Sequence, residues 1–168
     1  YGKQSFSFHE LNEVSSASII KIPLVLAVMK RIQDNQIQLT DTRKVKDTVK
    51  GAGILAYLHQ AKEFSLHDMM KLAIIVSDNT ASNLLIDEVG FEEVNALAQQ
   101  VGAPSTVLLR KFMSRNRMRD NFTTAADMIT WLQLIGEANP HFTEESRRHV
   151  YGMLYDQQFK NLLGGRID

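Results

Sequence analysis

Ile74-Ile75-Val76-Ser77-Asp78-Asn79-Thr80-Ala81-Ser82-Asn83-Leu84-Leu85-Ile86-Asp87 decides how this chain is read. Upstream of it, Ser65 followed by Asp68 forms an N-cap with an acidic first turn. That cap opens a helix with Leu66, Met69, Met70, Leu72, Ala73 and Val76 as its apolar set, stopping near Ser77. A second helical pattern begins at Thr80, runs to about Glu88 and is ended by Gly90. A short polar turn between two buried helices holds its side chains rigidly, as a site requires. Ser-Asp-Asn is also good capping chemistry, with Asp78 or Asn79 capping the next helix, so taken alone it has an adequate structural account.

Working outward toward the N-terminus, Ser18-Ile19-Ile20-Lys21 is an S-x-x-K. It opens a segment from Ser18 to about Ile32 in which Ile19, Ile20, Ile22, Val25, Leu26, Val28 and Met29 are too dense for a surface helix. Pro23 is tolerated only in a first turn, which sets the helix start close to Ser18 or Ile20. Residues three apart on a helix share a face, so the hydroxyl and the amine can meet. A lysine in apolar surroundings has a lowered pKa, and its neutral amine can take the serine proton. The unpaired N–H groups of a helix N-terminus favour negative charge developing beside that serine. Because a chain of this length holds roughly one S-x-x-K by chance, its apolar setting carries more weight than the spacing.

The remaining chain is read more coarsely. Tyr1 to Phe8 alternates aromatic and polar side chains and predicts a short strand, the only persuasive one. Gln33 to Gly53 reads as a polar surface connection closing on the tight turn Gly51-Ala52-Gly53. Phe91 to Gln100 predicts a helix ended by Gly102 and Pro104, and Arg110 to Asn121 a basic loop or irregular helix. Thr123 or Thr124 caps one further helix, and Thr143 with Glu144 and Glu145 opens another reaching about Tyr155. Asn161 to Asp168 shows no pattern. The expectation is a single domain over residues 1–168, with a helical lobe over about 18–158 and an N-terminal strand over about 1–10.

Composition narrows the function classes. The 168 residues are 44% hydrophobic and 23% charged, with 19 basic against 19 acidic side chains, an ordinary globular balance without the global attraction of a basic protein for nucleic acid. With no cysteine, disulfides, thiolate catalysis and Cys-based metal sites are excluded. The longest apolar run, Ile22 to Met29, is far short of the about 20 residues of a membrane span, so a soluble protein is expected. Beginning at Tyr1, the sequence leaves room for a removed leader. His9, His59, His67, His141 and His149 are scattered without ligand spacing, so no metal and no cofactor is expected. The basic run at 110–119 reads as a solvated loop, and the methionines at helical spacing as core filling.

Taken together, SSASIIKIPL at Ser15 to Leu24, GAGIL at Gly51 to Leu55 and IIVSDNTASNLLID at Ile74 to Asp87 resemble the class A β-lactamases and the related penicillin-binding serine enzymes. Weaker similarity continues through FTTAADM, Phe122 to Met128. The resemblance implies an α+β fold of the β-lactamase/transpeptidase-like kind, a helical lobe beside an antiparallel sheet. It implies Ser18 as the nucleophile that opens a β-lactam ring, Lys21 as its base partner and Ser77 as the relay of a proton to the departing nitrogen. Asn79 would hydrogen-bond the substrate's side-chain amide, the Ser18 N–H would donate to the oxyanion, and Asp78 would be structural. It also implies a small-molecule partner, a β-lactam or D-alanyl peptide, and export to the bacterial periplasm or envelope.

Two parts of the family pattern are missing. No K-T-G or K-S-G occurs anywhere, and that strand is expected after Asp168, so this chain is read as a fragment whose sheet is completed by further residues or a second chain. Without that strand, acylation by the 168-residue species is expected to be weak. Between Leu109 and Thr123 there is no glutamate to activate a deacylating water, and Asp120, the only acid there, reads as a salt-bridge partner. The leading expectation is a β-lactamase-like serine hydrolase working through a Ser18 acyl-enzyme. One alternative is a penicillin-binding, D-alanyl peptidase-like or sensor domain that deacylates slowly, and another a catalytically inactive helical interaction module.

Overall fold

The computed structural model describes residues 7–59, 63–114 and 120–159. Five helices make up most of its regular secondary structure: α1 (Lys21–Gln33), α2 (Leu66–Ile75), α3 (Asn79–Gln100), α4 (Ala125–Gly136) and α5 (Glu144–Tyr155). Two small antiparallel sheets complete the α+β architecture. One pairs β1 (Val14–Ser15) with β4 (Phe122–Thr123), and the other pairs β2 (Thr42–Lys44) with β3 (Glu63–Ser65).

Helix α1 is the core element. Lys21 and every residue from Pro23 to Met29 are buried, because α2, α3 and α5 pack around it. Each fully buried Leu or Val side chain along it contributes about 1.5–3 kcal/mol. Pro23 stands in the first turn, where its missing N–H has no intrahelical partner to lose. A 3₁₀ turn, Ala17–Ile20, leads into α1, so the helix begins where the proline rule requires.

The caps follow from the sequence. Ser65 Oγ accepts from Asp68 N at 3.0 Å, Asp78 Oδ1 from Ala81 N at 2.9 Å, Thr124 Oγ1 from Asp127 N at 3.1 Å and Thr143 Oγ1 from Ser146 N at 3.2 Å. Helix α3 covers both stretches read as separate helices, with Gly90 at φ 78° breaking the helical backbone between them. Gly102, at φ 82°, follows its end.

The strands differ from expectation. Of the N-terminal strand expected over about 1–10, residues 1–6 lie outside the described residues. Residues 7–10 form no strand: His9 is left-handed at φ 53°, and its carbonyl accepts from Asn12 N at 3.0 Å. The patternless stretch from Asn161 is also outside the described residues. β2 lies inside the segment read as a surface connection, and a three-residue strand, mostly exposed, is too short to show an alternation.

Buried polar groups tie α4 to the rest. Trp131, fully buried, donates Nε1–H to Thr106 Oγ1 at 3.1 Å, and that hydroxyl donates to Asp127 Oδ2 at 2.9 Å. Thr106→Val, similar in size but unable to bond, leaves the indole and the carboxylate without this shared partner. The expected loss is about 2–4 kcal/mol, read as a lower urea midpoint at unchanged m value.

Candidate active site

Three segments meet at the head of α1. The first is the 3₁₀ turn, entered through Ala17 at φ 44° and fixed from behind by β1 and by Ser16 N donating to Asn121 O at 2.8 Å. The second is the Ser77-Asp78-Asn79 turn between α2 and α3. Ser77 is left-handed at φ 55°, a strained conformation for a residue with a Cβ and one that recurs at functional turns. The third is the Val49 to Leu55 connection, laid over that turn.

Asp78 holds the second and third segments together. It is 1% exposed, and while Oδ1 caps α3, Oδ2 accepts from Ile54 N at 2.6 Å and Leu55 N at 2.8 Å. Asn79 N donates to Ala52 O at 3.1 Å, and Val49 N to Thr80 Oγ1 at 3.0 Å. The glycines permit this approach. Gly53 sits at φ 104°, and a Cβ there would overlap Asp78 Cγ, Oδ2 and Cα. At Gly51 a Cβ would come within 2.9 Å of Asn79 Nδ2.

Lys21 reaches into this arrangement and is only 2% exposed. Its Nζ donates to Ser77 O at 2.6 Å, Ser77 Oγ at 2.9 Å and Asn79 Oδ1 at 3.0 Å, three acceptors for the three N–H bonds of an ammonium. The Phe112 ring covers the same amine, its centroid 4.4 Å from Nζ. Burial pulls the Lys21 pKa down from 10.5 to about 8, against the opposing charge of Asp78. In the neutral form, two N–H bonds serve Ser77 O and Asn79 Oδ1, and the lone pair is left to accept the Ser77 hydroxyl proton. The arrangement can therefore pass a proton between Lys21 and Ser77.

The structure brings Lys21, Ser77 and Asn79 into direct contact. Ser18 is exposed in the 3₁₀ turn and lines, with Lys21, Ser77, Ile74, Leu154 and Phe159, a cleft of about 380 Å³. Asn79 does not line that cleft. Among the described residues no hydrogen bond joins Ser18 Oγ to Lys21 Nζ, although their spacing lets the two groups meet. The amine is turned toward stronger acceptors on the neighbouring turn. A larger cleft, about 520 Å³ over Arg43, Lys46, Thr80 and Glu88, holds none of the four predicted site residues.

Sequence reasoning did not find the clamps on residues 108–112. Asn95 Oδ1 accepts from Leu108 N at 2.8 Å, and Asn121 Oδ1 from Leu109 N at 2.8 Å and Arg110 N at 3.0 Å. Asn83 brackets Phe112, accepting from its N–H at 2.8 Å and donating to its carbonyl at 3.1 Å. Asparagines paired with a distant backbone leave no periodic signal. Asp120 bonds Arg110 Nη2 at 2.7 Å and accepts Ser15 Oγ–H at 2.6 Å. That hydroxyl first, then the Asn121 N–H and Arg110, holds its carboxyl below the usual range.

Comparisons with known proteins bear on this geometry. A family model described as the β-lactamase enzyme family matches residues 1–168. Among solved structures, a β-lactamase from Sphaerobacter thermophilus is 32% identical with a TM-score of 0.92, covering 98% of this chain and 63% of that one. The structure of PBP-A is 25% identical with a TM-score of 0.84, covering 92% of this chain and 58% of that one. A β-lactamase regulatory protein, BlaB, from Streptomyces cacaoi is 28% identical over 119 residues, 68% of this chain and 36% of that protein. The chain thus spans less than two thirds of the length of each.

Two outcomes test the site's construction. Gly53→Ala is expected to destabilise the fold by about 1–3 kcal/mol through backbone strain and displacement of Asp78, read as a lower thermal midpoint. The second is a pH dependence. Below about pH 8 both folded and unfolded chains hold the Lys21 proton, whereas between about 8 and 10.5 the unfolded chain binds more protons, so stability rises with pH and then levels. Melting wild type and Lys21→Met in parallel over that range should show the rise in wild type alone.

Proposed function

The chain belongs to the β-lactamase enzyme family, and from that premise we propose that it opens β-lactam rings by forming an acyl-enzyme at Ser18. The observation carrying this reading is the buried Lys21 amine in contact with Ser77 and beside the cleft that Ser18 lines. In the proposed reaction Ser18 Oγ attacks the ring carbonyl and yields its proton toward Lys21. The ring C–N bond breaks, and Ser77 delivers a proton to the departing nitrogen while Lys21 replenishes it. The Ser18 N–H, without a backbone acceptor among the described residues, is available to the developing oxyanion. Asn79 Oδ1 is engaged by Lys21, which leaves its Nδ2 amide to donate to the substrate's side-chain amide.

In the described residues the cleft is lined from the 3₁₀ turn, α1, α2, Ser77 and α5, with Gln157 and Phe159. In this reading the opposite wall and the substrate's carboxylate partner come from a lysine-bearing strand outside residues 1–168, in keeping with the partial coverage of the relatives. The substrate class is a β-lactam or a D-alanyl peptide, and the proposed location is the bacterial envelope or beyond. Among the described residues, no helix is long and apolar enough to cross a membrane.

A second reading is favoured by one observation: from Leu109 to Thr123 the sequence has no glutamate, and Asp120 is occupied by Arg110 and Ser15. With no glutamate in that stretch and Asp120 so engaged, the acyl-enzyme would persist and the protein would bind penicillin rather than destroy it, as a penicillin-binding or sensor protein does. Similarity to a regulatory protein points the same way.

Intact-mass analysis after exposure to benzylpenicillin is expected to show one penicilloyl adduct, mapped to Ser18 and lost in Ser18→Ala. The acylation rate should climb with pH through a midpoint near 8 as Lys21 becomes neutral. A folded protein spanning the full cleft and forming no adduct would exclude both acylating readings. Adduct loss within seconds would favour the lactamase, and an adduct lasting hours the penicillin-binding role.

A further inference from the structure

The ring above the base is the feature that the proposed reaction does not use. Lys21 Nζ is enclosed by Ser77 O, Ser77 Oγ, Asn79 Oδ1 and the Phe112 ring. Three of these are polar groups that bond the amine. The fourth is an aromatic face that neither donates nor accepts a proton. We propose that Phe112 is a positioning residue whose ring seals Lys21 from hydrolytic water and so lengthens the life of the Ser18 acyl-enzyme, an inference that rests on the acylation reading.

The physical case starts from the hydrolysis it would slow. In that step the oxygen of water bonds to the acyl carbon and the bond from that carbon to Ser18 Oγ breaks. One water proton stays on the released acid and the other ends on Ser18 Oγ. Some group must take a proton from water as it attacks. Among the described residues no carboxylate contacts Lys21 Nζ, and both Asp78 oxygens are committed to backbone N–H groups. In the proposed reaction the Lys21 amine serves as the base, and a water could use it only by reaching Nζ. Phe112, 9% exposed, covers one side of that amine, its ring centroid 4.4 Å from Nζ.

The ring is also fixed where it stands. Asn83, in the second turn of α3, holds both the N–H and the carbonyl of Phe112. Asn79, one turn earlier on the same helix, holds Lys21. One rigid element thus sets the ring against the amine. Lys111, the neighbouring residue, is anchored to Asp87 of α3 as well.

The test compares wild type, Phe112→Ala, Phe112→Tyr and Asn83→Ala in the full chain, with two readouts. Reductive methylation of Lys21, followed by peptide mass analysis, reads the seal without any β-lactam. Decay of the benzylpenicillin adduct by intact mass reads the lifetime. Phe112→Ala is expected to raise Lys21 labelling and to shorten the adduct lifetime, each by about tenfold or more. Phe112→Tyr, which keeps the ring, should match wild type in both, and Asn83→Ala should move both in the direction of Phe112→Ala. Should Phe112→Ala fail to fold, Phe112→Val trims the ring and is expected to act in the same direction. Equal labelling, or an equal adduct lifetime, in wild type and a folded ring-trimmed variant overturns the proposal. Failure of wild type to form any adduct would instead sink the acylation reading, and labelling alone would then decide whether the ring seals the amine.

Discussion

An ammonium group withdrawn from water at the head of α1 is the constraint to which the surrounding structure answers. Desolvating a cation is expensive unless acceptors replace its hydration shell. Here the acceptors come from the Ser77-Asp78-Asn79 turn, more than fifty positions along the chain. Supplying a backbone carbonyl and a hydroxyl from one residue accompanies a left-handed Ser77. That strain persists only because the neighbouring elements over-determine the turn.

Asp78 is the fastener. A carboxylate accepting three backbone N–H groups welds the start of α3 to the Ile54-Leu55 segment, so the turn cannot drift from Lys21. The 108–112 stretch is held by side-chain amides in the same manner, from Asn95, Asn121 and Asn83. That stretch is thus secured by two residues of α3 and by Asn121, just before β4. Its one aromatic residue packed on the amine, Phe112, is consequently held as firmly as a helical side chain.

Much of this was legible before any coordinates. Ser65 and Thr143 cap the helices expected of them, Asp78 and Thr124 are each one of the two caps that local chemistry allowed, and Pro23 marks the first turn of α1. Gly90 separates two helical stretches because a left-handed glycine interrupts the pattern wherever it lands. The strands were not legible. β1 and β4 span two residues each, and what orders them is pairing across more than a hundred positions, which no short window contains. Gly51 and Gly53 read as turn residues, but their larger role, close approach to Asn79 and Asp78, depends on a partner that local sequence does not identify.

The site divides in the same way. Residue type and spacing singled out Ser18-x-x-Lys21 and the Ser77-Asp78-Asn79 turn as local features, and the family resemblance gave Ser18, Lys21, Ser77 and Asn79 their expected roles. Which atoms meet was decided in three dimensions. Helical spacing argued for Ser18 with Lys21, whereas the folded chain turns the amine to Ser77 and Asn79, where a carbonyl, a hydroxyl and an amide oxygen satisfy it together. Phe112 and its Asn83 clamp belong wholly to the tertiary level, because a ring over a cation needs proximity and leaves no mark in the order of residues. Sequence determined the chemistry on offer, and packing decided its geometry, since burial and hydrogen-bond satisfaction are properties of the whole fold.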